Sequence, residues 1–147
     1  MATKNGVSLH WGGLDKALSK AGHKLGDTQA LMESVGDALV SGTLKRFDAE
    51  EEPTGKKWPK SKRAAKEGGQ TLTDKAFLRR SIDSAATPEK VMVGSNLPYA
   101  RIHQLGGKTG KGHKVDMPAR PYLGVSESDL DDVRAAMANF LAGAFKA

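Results

Sequence analysis

The sequence predicts an α+β fold, a small mainly antiparallel sheet packed by a long helix from the N-terminal half and a C-terminal amphipathic helix, with long polar loops. Three observations carry this expectation. Apolar residues recur at helical spacing over 28–46 and again after Ser126. Two short segments flank a proline turn at 87–90, and no regular βαβ alternation appears. The length of 147 residues fits one domain, 1–147.

Gly12, Gly13, Gly22 and Gly26 bracket Leu14, Leu18, Ala21 and Leu25, so residues 1–26 read as a marginal helix. Asp27 or Thr28 then caps a longer helix, Thr28 to Arg46, whose stripe is Leu31, Val35, Leu39 and Phe47. Residues 48–70 show no apolar period, with Trp58 the single large apolar side chain, and read as an arm. Thr73 suits an N-cap for a short helix from Asp74 to Arg80, with Leu72 stapled onto Phe77.

Ser81 to Ala86 and Lys90 to Gly94 read as paired strands joined through Thr87-Pro88-Glu89-Lys90. Pro98 to Leu105 reads as one or two helical turns that Gly106 and Gly107 end. The Gly/Lys-rich stretch 105–115 reads as a mobile loop. Lys114 to Pro118 and Tyr122 to Val125 read as edge strands, because Pro118 and Pro121 cannot donate to a central ladder. Ser126 or Ser128 caps the closing helix, striped by Leu130, Val133, Met137, Phe140, Leu141 and Ala144.

Cysteine is absent, which removes disulfides, thiolate metal sites and cysteine nucleophiles. Residues 3–11 lack the apolar core of a signal peptide, and no run reaches the roughly 18 apolar residues of a membrane span. The expectation is a protein that stays in the cytoplasm where it is made and needs no membrane. Its formal charge of +6 is unevenly placed. Residues 48–52 hold four acids and no base, whereas residues 53–80 hold nine bases against two acids, a local net of +7.

Motifs for chemistry are weak. The lysines of Gly107-Lys108-Thr109 and Gly110-Lys111 lack the upstream glycine of a phosphate loop, since Ile102 and Leu105 stand there. His10, His23, His103 and His113 have no zinc-site spacing, and no nucleophile elbow surrounds Ser95. Asp129, Asp131 and Asp132 fall in the first turn of a capped helix, where the helix dipole accounts for them. No catalytic, cofactor-binding or metal-binding residue is assigned, and no cofactor is expected.

The basic segment carries the binding expectation. Lys56, Lys57, Lys60, Lys62 and Arg63 interleaved with Trp58 form either an interface arm or a nucleic-acid surface, with phosphates on the cations and a base on the indole. Tyr99, His103, Gln104, Arg120 and Tyr122 are the other interface candidates. Pro118 and Pro121 stiffen the chain around Arg120, and the tyrosines pair an apolar body with a polar tip. Such residues serve either the subunit's own fold or a contact with a neighbour.

Several segments occur together in order over about residues 28–142. They include Arg46-Phe47, Pro53, Gly55 and Trp58; Leu72-Thr73-Asp74; and Val93-Gly94-Ser95-Asn96. Most specific are Tyr99-Ala100 with Ile102-His103-Gln104, and Pro118-Ala119-Arg120-Pro121-Tyr122-Leu123-Gly124. This set resembles the phage virion morphogenesis family, which includes the tail completion proteins of Mu-like phages. One departure is that Lys75-Ala76-Phe77 stands where the family tends to have Thr-Gly-Arg. The resemblance implies a structural, non-catalytic virion protein, assembled in the host cytoplasm, that completes a tail or joins it to the head. Its implied partners are other copies of itself in a ring, with a hexamer expected, and tail-tube or connector proteins. The competing expectation is an independent nucleic-acid-binding module that uses the basic segment 53–80, and contact with DNA fits either reading. Both polar loops, 48–70 and 105–115, are expected to be mobile in the free subunit and to order on docking.

Overall fold

The structure, a computed structural model, describes residues 28–146, and of their side chains those up to residue 143. The helix expected over 1–26, with His10 and His23, lies outside the described residues, as does the side chain of Ala144. Helix α1 (Thr28–Ala49) extends to 22 residues, about 33 Å at 1.5 Å per residue. All four predicted stripe residues, Leu31, Val35, Leu39 and Phe47, are buried, and Met32 and Thr43 widen the buried face. Two glycines within this helix mark close approaches. A Cβ at Gly36 would lie 2.7 Å from Ser84 Oγ, and one at Gly42 would collide with the Asp129 carboxylate.

Strands β1 (Asp83–Thr87) and β2 (Lys90–Gly94) form an antiparallel hairpin with Thr87 opposite Lys90. Thr87 Oγ1 accepts from the amides of Glu89 and Lys90 at 3.3 and 3.2 Å, closing the turn around Pro88. Val91 and Val93 share the buried face, as alternation requires. Helix α1 packs against this hairpin on one side and against the closing helix α5 (Glu127–Lys146) on another. Val133 of α5 is buried, with Met137 and Phe140 partly buried against the same core.

Between these layers run shorter elements: α2 (Lys62–Glu67), α3 (Phe77–Arg80), α4 (Ala100–Leu105), β3 (Gly107–Thr109) and β4 (Val115–Met117). The antiparallel strands thus divide between two two-stranded sheets. Four expectations are corrected. Residues 48–70 are not structureless, since they contain α2, capped by Ser61 Oγ on the Ala64 amide at 3.1 Å, and a bridge from Glu51 to Lys57. Residues 105–115 are not an open loop, because β3 and β4 pair across a tight turn at Lys111–His113. The helix expected from Asp74 starts at Phe77, after Leu72 and Ala76 take left-handed φ of 64° and 59°. Phe77 there is 58% exposed. Tyr122 to Val125 is not a strand; its backbone is held by side chains instead.

Candidate assembly surfaces

The strongest polar node joins α1 to α5. Arg46 donates from Nη1 to Asp129 Oδ2 at 2.6 Å, from Nε to the Tyr122 carbonyl at 2.8 Å, and from Nη2 to Thr43 Oγ1 and the Gly124 carbonyl at 3.1 and 3.0 Å. Asp129 Oδ2 also accepts the Ser126 amide at 2.9 Å, while Ser126 Oγ accepts the Asp129 amide at 3.0 Å. This reciprocal cap satisfies two amides at the start of α5. With side-chain exposures of 7% and 2%, the pair is tolerable because each charge has further hydrogen-bond partners. Dipole reasoning placed Asp129 correctly at a helix start but missed its partner. The available signal was Arg46 itself, a cation on the apolar stripe one residue before Phe47.

A ring cluster adjoins the node. Phe47 meets Trp58 edge to face at 5.5 Å and Tyr122 at 5.4 Å. Trp58 Nε1 donates to the Pro121 carbonyl, and Tyr122 Oη donates to the Ala100 carbonyl, both at 2.8 Å. Burial pushes the Tyr122 phenol well above its ordinary range. Gln104 Oε1 accepts the amides of Tyr122 and Leu123, and its Nε2 donates to the Leu123 carbonyl, each at 3.0 Å. Arg120 Nε donates to the Pro59 carbonyl at 2.6 Å, and burial lowers the pKa of its guanidinium. Trp58, Gln104, Arg120 and Tyr122 therefore tie residues 58–59, 100–104 and 120–123 together inside one subunit.

This geometry corrects the expectation that Trp58 awaits a neighbour's pocket, because the indole is 6% exposed in its own core. The cations nearby behave differently. Lys56, Lys57, Lys60 and Lys62 are exposed; of these, Lys57 Nζ donates to the Ala49 carbonyl at 2.6 Å and lies 3.3 Å from Glu51. Arg63 turns inward and donates to the Gln70 carbonyl at 2.6 Å. The lysines face outward from a folded base, and the buried Trp58 indole is not free to stack on a nucleobase.

Tyr99 and His103 stand at the surface end of α4, ring to ring at 6.0 Å and nearly perpendicular. His103 Nδ1 is buried without a hydrogen-bond partner, and its pKa is lowered by burial and then by the charge of Arg120. Both residues line a cavity of about 300 Å³ floored by Leu72, Phe77 and Met117. A second cavity, of about 470 Å³, opens between the end of α1 and the start of α5. Among the described residues no group of three His, Asp or Glu side chains is placed to hold a metal ion. Among them, too, no helix is long and apolar enough to cross a membrane.

The model of the phage virion morphogenesis family matches residues 9–142, and the chain belongs to that family of structural phage morphogenesis proteins. It is 34% identical over 120 residues to the Mu-like prophage FluMu G protein 2 of Haemophilus influenzae, covering 82% of this chain and 83% of that one. Protein G of Escherichia phage Mu, by its provisional name a capsid assembly protein, is 29% identical over 80% of this chain and 82% of its own. The FluMu G protein 1 of the same bacterium is 28% identical over 76% and 77% of the two chains. No solved structure matches the chain.

Proposed function

We propose that this chain is a structural, non-catalytic virion component that completes the tail or forms the head-to-tail junction by assembling as a ring, with six subunits as the expected number. It acts in the virion, after synthesis and assembly in the host cytoplasm, and its other partners are the tail tube or the head connector. The observation that carries this reading is the family match over residues 9–142. The fold supports it, because the motif residues Gln104, Arg120 and Tyr122 hold backbone in place and leave the surface to contacts. Native mass spectrometry and negative-stain imaging of purified protein test the ring directly. Phage lacking the gene should accumulate separate heads and unfinished tails, and the purified protein should join them. Protein that stays monomeric at every concentration, with particles that assemble normally without it, overturns the proposal.

The exposed row Lys56, Lys60, Lys62 and Lys66 favours a second reading, contact with DNA. With Trp58 in the core, the phosphate contacts would act without base stacking. Duplex binding that falls steeply as salt rises supports contact; negligible binding at low salt removes it.

A further inference from the structure

The four exposed large hydrophobics of the described residues are Phe77, Tyr99, Leu105 and Val115. Phe77 and Tyr99 line the 300 Å³ cavity directly. Val115 lies two residues before Met117 on β4 and so shares its face. Phe77 and Tyr99 therefore form one exposed apolar ridge beside that cavity, and such a patch marks a contact site. Its rim is cationic: exposed Lys75 and half-buried Arg63 line the cavity, the Arg80 guanidinium sits 6.0 Å from the Phe77 ring, and Arg120 lies buried behind them. Asp74 is the acid among these lining residues, 3.9 Å from Arg63.

The second cavity has the opposite character. Its walls carry Glu51, Glu52 and Glu127 against Lys45, while Arg46 and Asp129 neutralise each other. Three carboxylates less one ammonium leaves a net charge of −2 around a floor that includes Ala49, Pro53 and Gly55. At about 470 Å³ it has room for an aromatic side chain. The two cavities share no lining residue, so one molecule can offer both at once.

From this complementarity we infer that the partner of the Phe77 ridge is a second copy of this chain, with Phe77 and its flanking cations seated in the acidic cleft between α1 and α5 of the neighbour. Such a contact joins two different patches, so it is head to tail and repeats around a ring when the rotation closes. The opposite charges select the partner and its orientation, and the aromatic side chain supplies the desolvated centre. The inference deepens the ring reading and rests on it.

Two variants test it: Lys75→Glu with Phe77→Ser destroys the ridge, and Glu52→Lys with Glu127→Lys destroys the cleft. Lys75, Phe77 and Glu127 are exposed and Glu52 is half-buried, and unchanged circular dichroism and melting establish that both variants fold. By sedimentation velocity, each variant alone should lose self-association by roughly 30-fold or more, as expected for a hot-spot contact. Mixed together, they should form a one-to-one heterodimer and nothing larger, because one intact ridge meets one intact cleft. Variants that still form wild-type rings overturn the docking surface and leave the ring standing. A heterodimer in the mixture with only open chains from wild-type protein keeps the surface and overturns the ring. Monomers in every sample overturn both.

Discussion

Two polar, glycine-containing segments, 50–71 and 105–117, look alike as sequence and are held in different ways. The first folds because one large side chain anchors it: Trp58 sits against Phe47 and bonds the Pro121 carbonyl. Around that anchor the Thr71 amide reaches Glu50 Oε1 at 2.6 Å, and Arg63 reaches the Gln70 carbonyl. The second is a hairpin with no buried side chain of its own between Gly107 and Met117; it pairs chiefly with itself and is fixed at its root, where the Arg120 amide meets the His103 carbonyl at 2.7 Å. A single buried indole offsets the ordering entropy of several residues, while strand pairing among glycines and exposed lysines offsets little. Removing each support in turn shows how far this contrast holds.

The largest effect should come from Trp58→Ala. Losing a buried aromatic side chain costs about 3–5 kcal/mol in urea unfolding. Trypsin should then cut within residues 56–66 faster than it does in the wild-type protein, while the 107–117 hairpin keeps its own cleavage rate. Destabilisation below about 1 kcal/mol, with the segment still protected, would show that hydrogen bonds such as Thr71 to Glu50 hold it without the indole.

Next comes Arg46→Met, which strands Asp129 as a buried unpaired charge at a cost of about 3 kcal/mol or more. It also releases the Tyr122 and Gly124 carbonyls, in the same segment as the Pro121 carbonyl that Trp58 bonds. Adding Asp129→Leu should recover much of the loss, since the remaining cost is then packing and capping. Chemical denaturation of both variants checks this. If the double variant is no better than the single, the carbonyl bonds matter more than the charge.

The regular elements were legible because their signals are local. The stripe of α1, the Thr87 to Lys90 turn and the Ser126 cap each follow from spacing within a few residues. What escaped depends on distant partners. Nothing near Trp58 in the chain announces Pro121, 63 residues away, and nothing near Arg46 announces Asp129, 83 residues away. Of the residues named from the motif blocks, Gln104 and Tyr122 meet each other and Arg120 holds the Pro59 carbonyl. Their chemistry alone did not reveal that these contacts lie inside the subunit. The left-handed Ala76 escaped for a different reason, since alanine gives no warning of a positive φ.

That position supplies a smaller, stabilising prediction. Ala76 adopts φ 59° and ψ 19°, a conformation that a Cβ makes unfavourable and glycine takes freely. Ala76→Gly should raise the unfolding free energy by about 0.5–1 kcal/mol, after the extra entropy of glycine in the unfolded chain is subtracted. A lowered melting temperature would mean that the alanine methyl is packed well enough to outweigh the strain.

The smallest effect belongs to the hairpin and decides whether the comparison is sound. Lys108 and Asp116 face each other across β3 and β4 at 3.4 Å, with side chains 69% and 83% exposed. Water and salt screen such a pair, and holding two long side chains in register costs entropy, so Lys108→Ala should change global stability by less than about 0.5 kcal/mol. Hydrogen exchange supplies the sharper reading. The amides of Gly107–Thr109 and Val115–Met117 should exchange through a local opening far easier than global unfolding, and the substitution should speed them without touching β1 and β2. Amides in β2, covered by α1 through Val91 and Val93, should exchange only with the whole domain. Hairpin amides as slow as those of β2 would contradict this account, because a segment without a buried anchor would then be as firmly held as one resting on the core.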